Sequence, residues 1–147
     1  MILPVLAALP LLAPLAAHAV PGPYEKASNM LTARGVKAVA QGDALDAVPL
    51  LERAVVADPA NARALTFLAR AWQQQGKAQL ARKYYDLALS IDPVEPDALN
   101  WSGQMALASG DKSAAQINRD RLGISCPNCP QHRELADAIA GVKPLNP

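Results

Sequence analysis

Cys126 and Cys129 are the only cysteines in the chain, and they stand two residues apart in the stretch GISCPNCPQHRE. Such a pair serves four chemistries: haem attachment, metal ligation, thiol–disulfide exchange and a covalent staple. Haem attachment requires His directly after the second cysteine, and Pro130 stands there. A closed structural zinc site takes four ligands, whereas Cys126, Cys129 and His132 make three at most. Completing that site would take a second chain. A cysteine at a helix N-terminus has a stabilised thiolate and can be reactive. Yet the redox version of the motif accompanies a βαβ pattern, and no strand is legible here. The staple asks only for an oxidising compartment. Closing so short a loop contributes about 2 kcal/mol in the chain-entropy description. A structural disulfide between Cys126 and Cys129 is therefore the leading expectation, with dithiol exchange as its rival. Elsewhere no nucleophile–base pair, glycine-rich phosphate loop or paired-carboxylate site is present. His18 lies in an apolar leader, which leaves histidine-dependent catalysis to His132 alone. These residues predict no enzyme, no catalytic or metal site and no cofactor.

The compartment is read from the N-terminus. Residues 1–19, MILPVLAALPLLAPLAAHA, carry no charged side chain, and none appears before Glu25. The run ends in Ala17-His18-Ala19, a small-x-small pattern that suits signal peptidase. No Lys or Arg follows Met1, so the amino terminus supplies the only leader charge. A retained anchor is the alternative, because the run is just long enough to span a bilayer. Pro4, Pro10 and Pro14 count against it, being costly in an isolated helix. No cysteine follows the run, which excludes a lipoprotein acyl anchor. The expectation is a cleaved signal over 1–19 and a periplasmic or secreted chain, membrane-bound only if the segment is retained. A net charge of +1 without a basic cluster argues against a nucleic-acid partner.

The elements around the cysteines follow a period. Pro59, Pro93 and Pro127 are each 34 residues apart, and so are Gly42, Gly76 and Gly110. Ala47, Ala81 and Ala115 keep the same interval, as do Leu31, Leu65 and Leu99. Gly35, Ala69 and Gly103 recur as small residues, and Ala54, Ala88 and Leu122 as apolar ones. Each column has a physical task. The glycine ends a first helix, where a left-handed residue is wanted. The small residues allow paired helices to approach. The proline stops a second helix, because the residue before it is pushed out of α geometry. The scarcity of aromatic and β-branched residues also favours helices over sheet. Six helices are expected near 24–41, 44–57, 61–75, 78–91, 96–108 and 112–122. A seventh is expected near 130–141, with Pro130 at its first turn. Its stripe of Leu135, Ile139 and Val142 should cover the last repeat. Pro49 falls inside the second helix and should kink it or delay its start.

The middle unit reads NARALTFLARAWQQQGKAQLARKYYDLALSIDP, with Leu65, Leu68, Ala69, Trp72, Gly76, Ala81, Tyr85, Ala88 and Pro93 in order. This pattern resembles the tetratricopeptide repeat. The first unit departs from it with Ala38 where a large aromatic is usual, and the third with Arg119 where Leu51 and Tyr85 stood. The resemblance implies an all-α solenoid of three helix-turn-helix repeats over 24–129, at about 28–61, 62–95 and 96–129. A capping helix over 130–142 completes it. It further implies a concave face lined mainly by the first helix of each pair, binding a protein or extended peptide. By register that face should present Arg63, Thr66, Arg70, Gln73, Gln74, Asn100 and Gln104, with Asp97 nearby. Asn29, Thr32, Val36 and Val39 fall at the other end. Arginine forks bind carboxylates bidentately, which favours a ligand with an acidic group or a free C-terminus. Some tetratricopeptide proteins clamp the C-terminal carboxylates of heat-shock chaperones with Lys and Asn. Thr32 and Val36 stand where those residues are needed, so that specificity does not carry over. Trp72 and Tyr85 are expected to pack between helices, Trp101 to be core or partly exposed in the groove, and Tyr84 to sit on the convex side. The expected role is a binding adaptor or assembly factor of the bacterial cell envelope. The alternatives are a thiol-linked or cytochrome-biogenesis factor and a self-associating structural module.

Overall fold

The computed structural model describes residues 22–141. Among them are seven α-helices: α1 Pro23–Ala40, α2 Ala44–Ala57, α3 Ala62–Gln74, α4 Ala78–Ile91, α5 Pro96–Ala108, α6 Lys112–Ser125 and α7 Pro130–Ala140. No strand occurs among the described residues. The expected leader over 1–19 and Val142 lie outside them. No described helix is long and apolar enough to cross a membrane.

The helices form antiparallel-type pairs, α1 with α2, α3 with α4 and α5 with α6, and each new pair stacks on the one before. The turns explain why the helices stop where they do. Gly42, Gly76 and Gly110 adopt φ of 77°, 72° and 85°, a left-handed geometry that a side chain resists. α2, α3 and α6 begin under a side-chain cap, whereas α4, which starts after Lys77, has none. Asp43 accepts from the Asp46 N–H, Asn61 from Ala64 and Asp111 from Ala114, each using an oxygen that the first turn of a helix needs. Asp58 and Asp92 end α2 and α4 in extended geometry directly before their prolines.

One helix end differs from the expected one, and one of the two effects expected of Pro49 is absent. α2 begins at Ala44 and continues through Pro49 as one helix, so its start is not delayed. Pro49 is exposed, and the Leu45 carbonyl that loses its partner there belongs to an exposed residue. Water can therefore satisfy it, which lowers the cost of the proline. α6 runs three residues further than expected, to Ser125.

The core divides into three clusters that follow the stacking. The first joins Val39, Val48, Leu51, Phe67 and Leu68, and the second joins Leu65, Tyr85 and Ala88. The third holds only Leu99, Leu122 and Leu135 as buried members. Close approach depends on the small column. A Cβ at Gly35 would lie 2.4 Å from Leu51 Cγ, and one at Gly103 would lie 2.7 Å from Leu135. Gly35 thus admits its own partner helix, whereas Gly103 seats α7. Leu135 is fully buried and Ile139 packs beside it, so α7 covers the end of the third pair.

Candidate binding face and C-terminal staple

The first helices lie side by side, α1 against α3 and α3 against α5, and α7 continues the row against α5. Polar bridges at the repeat interval tie them together. Asn61 Nδ2 donates to Ser28 Oγ at 2.9 Å and to Thr32 Oγ1 at 3.3 Å. One repeat later, Thr66 Oγ1 donates to Glu95 Oε2 at 3.2 Å, and Glu95 also caps the Ala98 N–H. At the next junction Asn100 Nδ2 donates to Glu134 Oε2 at 2.9 Å, and Gln131 Nε2 donates to Asp97 Oδ1 at 2.8 Å. α7 therefore docks on α5 through the positions that join earlier repeats.

These bridges settle where the expected groove residues sit. Thr66, Asn100 and Gln104 are buried in contacts between first helices; Gln104 donates to Asn100 Oδ1. Gln73 Oε1 accepts from the Tyr85 hydroxyl at 2.9 Å, and Gln74 Nε2 donates to the Val39 carbonyl at 3.1 Å. Arg63 and Arg70 remain at the surface of the row, the first exposed and the second half-buried. Thr32 is buried and Val36 half-buried at the far end.

The two arginines are organised by aromatic rings. Arg63 lies over Phe67 at 5.1 Å from its centroid, and Arg70 over Trp101 at 5.2 Å. Phe67 and Trp101 meet edge to face at 5.2 Å, so the four side chains form one continuous unit across α3 and α5. Such stacking fixes a guanidinium plane through the attraction of the cation to the ring face. The N–H edges of exposed Arg63 remain available for a carboxylate, whereas Arg70 Nη1 is buried without a hydrogen-bond partner. The only salt bridge among the described residues is Arg119–Asp120, far along α6, so neither groove arginine is committed to one. Phe67 escaped the sequence reading because it occupies no signature column. Its offset of three and four residues from Ala64, Arg63 and Arg70 places it on the arginine face.

Two titratable groups nearby are shifted by burial. Desolvation raises the Glu95 carboxyl above its usual range, against the opposing pull of the Ala98 N–H; Asp97 adds to the rise. Desolvation likewise pushes the Tyr85 phenol well above its ordinary value. Trp72 and Tyr85 pack between helices as expected. Tyr84, on the second helix α4, is half-buried and packs against the first two core clusters.

At the C-terminal end Cys126 and Cys129 form a disulfide with Cα atoms 5.4 Å apart. Cys126 ends α6 and Cys129 is the N-cap of α7. Both pack against the Leu99–Leu122–Leu135 cluster. His132 Nδ1 lies 3.0 Å from the Pro127 carbonyl oxygen, turned to the intervening turn. Cys129 occupies the place held by Asn61 and Glu95 in the preceding repeats. Those residues hydrogen-bond to the first helix of the preceding repeat, α1 and α3, whereas the disulfide links Cys129 to the end of α6.

Paired helices at a 34-residue interval, closed by glycine and proline turns, define a helical repeat solenoid. The fold is an all-α solenoid of tetratricopeptide repeats, and the tetratricopeptide repeat family model matches residues 32–96. Solved structures agree on the fold. The first TPR domain of human RPAP3 superposes with a TM-score of 0.67 at 22% identity, covering 80% of this chain and 96% of that one. The Yersinia enterocolitica type III secretion chaperone SycD, in complex with a peptide of the translocator YopD, gives a TM-score of 0.64 at 20% identity. That alignment covers 78% of this chain and 87% of SycD. Among curated proteins the chain is similar to cellulose synthase operon protein C. It is 36% identical over 95 residues to the protein of Xanthomonas axonopodis pv. citri (strain 306), covering 65% of this chain and 6% of that one. With the Escherichia coli (strain K12) protein it shares 32% over 96 residues, 60% of this chain and 8% of the other. The chain thus spans less than a tenth of the length of these relatives.

Proposed function

We propose that this chain binds an extended polypeptide on the face formed by α1, α3 and α5, as an adaptor or assembly factor of the bacterial cell envelope. The observation that carries this reading is the Arg63–Phe67–Trp101–Arg70 unit, in which two guanidinium planes are fixed on rings and left without salt bridges. A carboxylate side chain or a chain terminus is the complementary group. Gln73, Gln74, Thr66, Asn100 and Gln104 support this face by fixing the helices that present it, so binding energy concentrates on the arginines and rings. SycD binds a translocator peptide on the same fold, which supports a peptide as ligand. The envelope setting rests on the apolar leader, on the cysteine pair and on the likeness to cellulose synthase operon protein C. A cleaved signal over 1–19 belongs to the same reading, as does an end staple that makes the Cys126–Cys129 bond structural rather than a dithiol carrier.

An array of extended peptides, acidic, neutral and basic, tests the binding face. Acidic peptides should be retained preferentially, and Arg63→Glu combined with Arg70→Glu should abolish that retention without lowering helical content. Equal retention of acidic and basic peptides, or retention by the double variant, would remove the groove assignment.

A further inference from the structure

The repeat provides its own control for a second site. A cleft of about 400 Å³ opens between α4, α5 and α6, at the junction of the second and third repeats. The corresponding junction one repeat earlier lies 34 residues back in sequence. There Trp72 and Tyr84 fill the space and pack against the core built from Val48, Leu51 and Leu68. At the later junction Ala106 stands where Trp72 stood, Asn118 where Tyr84 stood, Ser102 where Leu68 stood and Ala114 where Leu80 stood. All four line the cleft. Met105 in place of Ala71 returns part of the lost volume and contributes an apolar wall beside Leu89. Four large apolar side chains have therefore become small or polar in one place, on both facing helices. Asn118 is turned aside, donating to the Leu99 carbonyl and Ser102 Oγ, which leaves the space open.

An unfilled hollow of this size costs stability, because its lining loses contacts that a side chain would make. Here the missing volume is that of an indole and a phenol in the same fold. Arg82 and Arg121 stand on opposite sides of the cleft, the first from α4 and the second from α6. Asp86 and Asp111 give the rim acceptors as well as donors. A guanidinium over a ring face, an apolar wall and a mixed polar rim together suit an aromatic side chain carried on a peptide backbone.

We propose that this cleft receives one Trp or Tyr side chain of a partner polypeptide, which completes the junction as Trp72 and Tyr84 complete the earlier one. The site lies between α4, α5 and α6, and neither Arg63 nor Arg70 lines it. A ligand could engage either surface alone.

The test uses N-acetyl-tryptophanamide as probe and N-acetyl-alaninamide as control, followed by amide chemical shifts of the full chain. The tryptophan amide should shift Met105, Ala106 and Asn118 in a saturable manner, and the alanine amide should not. Ala106→Trp copies the earlier repeat and fills the hollow. It should weaken the probe by about tenfold or more while holding or raising the melting temperature. Asn118→Tyr, on the facing helix α6, should do the same, and serves if the first variant does not fold. Arg63→Glu with Arg70→Glu should leave the probe affinity unchanged. Shifts that do not saturate, that appear equally with the alanine amide, or that survive in both filled variants would overturn the proposal.

Discussion

Glu95 shows how a single buried group ties stability to pH. Its carboxylate caps α5 and touches Thr66, yet only 6% of the residue is exposed. Burial raises its pKa in the folded chain, so the folded state holds the proton more firmly than the unfolded one. Its contribution is therefore fully present below the ordinary glutamate value and is lost as pH rises through the raised one. Glu95→Gln keeps an acceptor for the Ala98 N–H and cannot charge. The variant should melt higher than the parent at pH 7, with the gap closing as the pH falls toward about 4.3. Parallel melting curves across that window would show that the buried charge has no influence. Gly35 makes a steric prediction of the same grain. Alanine there gains about 1 kcal/mol of helix propensity but sets a Cβ 2.4 Å from Leu51 Cγ, where Leu51 is fully buried. Overpacking costs about 1–3 kcal/mol, so denaturant melts of Gly35→Ala should show net destabilisation; a more stable variant would mean that α1 and α2 can part freely. For the cysteines, a reduction potential below about −300 mV is expected of a structural bond, and one of about −120 to −230 mV would mark a dithiol in exchange with clients.

Caps, kinks and docking belong to the elements. Asp43 and Asp111 cap α2 and α6 through single exposed bonds, and alanine at either should cost about 1 kcal/mol. α7 is held differently. Gln131 and Glu134 repeat the inter-helix bridges of earlier repeats, Leu135 fits against Gly103, and the disulfide joins the helix to α6. Leu135→Ala should therefore cost about 2–5 kcal/mol, as a fully buried leucine does. A loss under about 1 kcal/mol in chemical denaturation would mean that α7 is only laid over the solenoid. The periodicity of the sequence predicted each of these helices to within a few residues. It placed Pro49 inside the second helix, as found, but ended α6 three residues short of Ser125.

Across the whole molecule, stability is distributed unevenly along the stack. The first two clusters contain most of the buried apolar side chains, whereas the third has three. The junction before it contains the open cleft. In a solenoid each repeat is stabilised by its neighbours, so local opening follows the weakest junction. Amide hydrogen exchange should be slowest in α2 and α3 and faster through α5, α6 and α7. Uniform protection would show that the cleft does not divide the chain.

The sequence by itself determined the repeat, the helices, the turns and the column of small residues. These are local or periodic properties, written in spacing, in glycine and proline geometry and in apolar stripes. It also singled out Arg63, Arg70 and the cysteine pair by residue type. Tertiary structure decided what each polar side chain faces. Thr66, Asn100 and Gln104 share a register with Arg70 but lie between helices, because a first helix touches its neighbours along a strip wider than a register count resolves. The pairing of Phe67 with Trp101 joins residues 34 positions apart, and the cleft beside Ala106 exists only where three helices fail to fill their common space. Periodicity tells which side of a helix is covered; the contacts made by each covering chain, and the gaps between them, arise only when the helices are stacked.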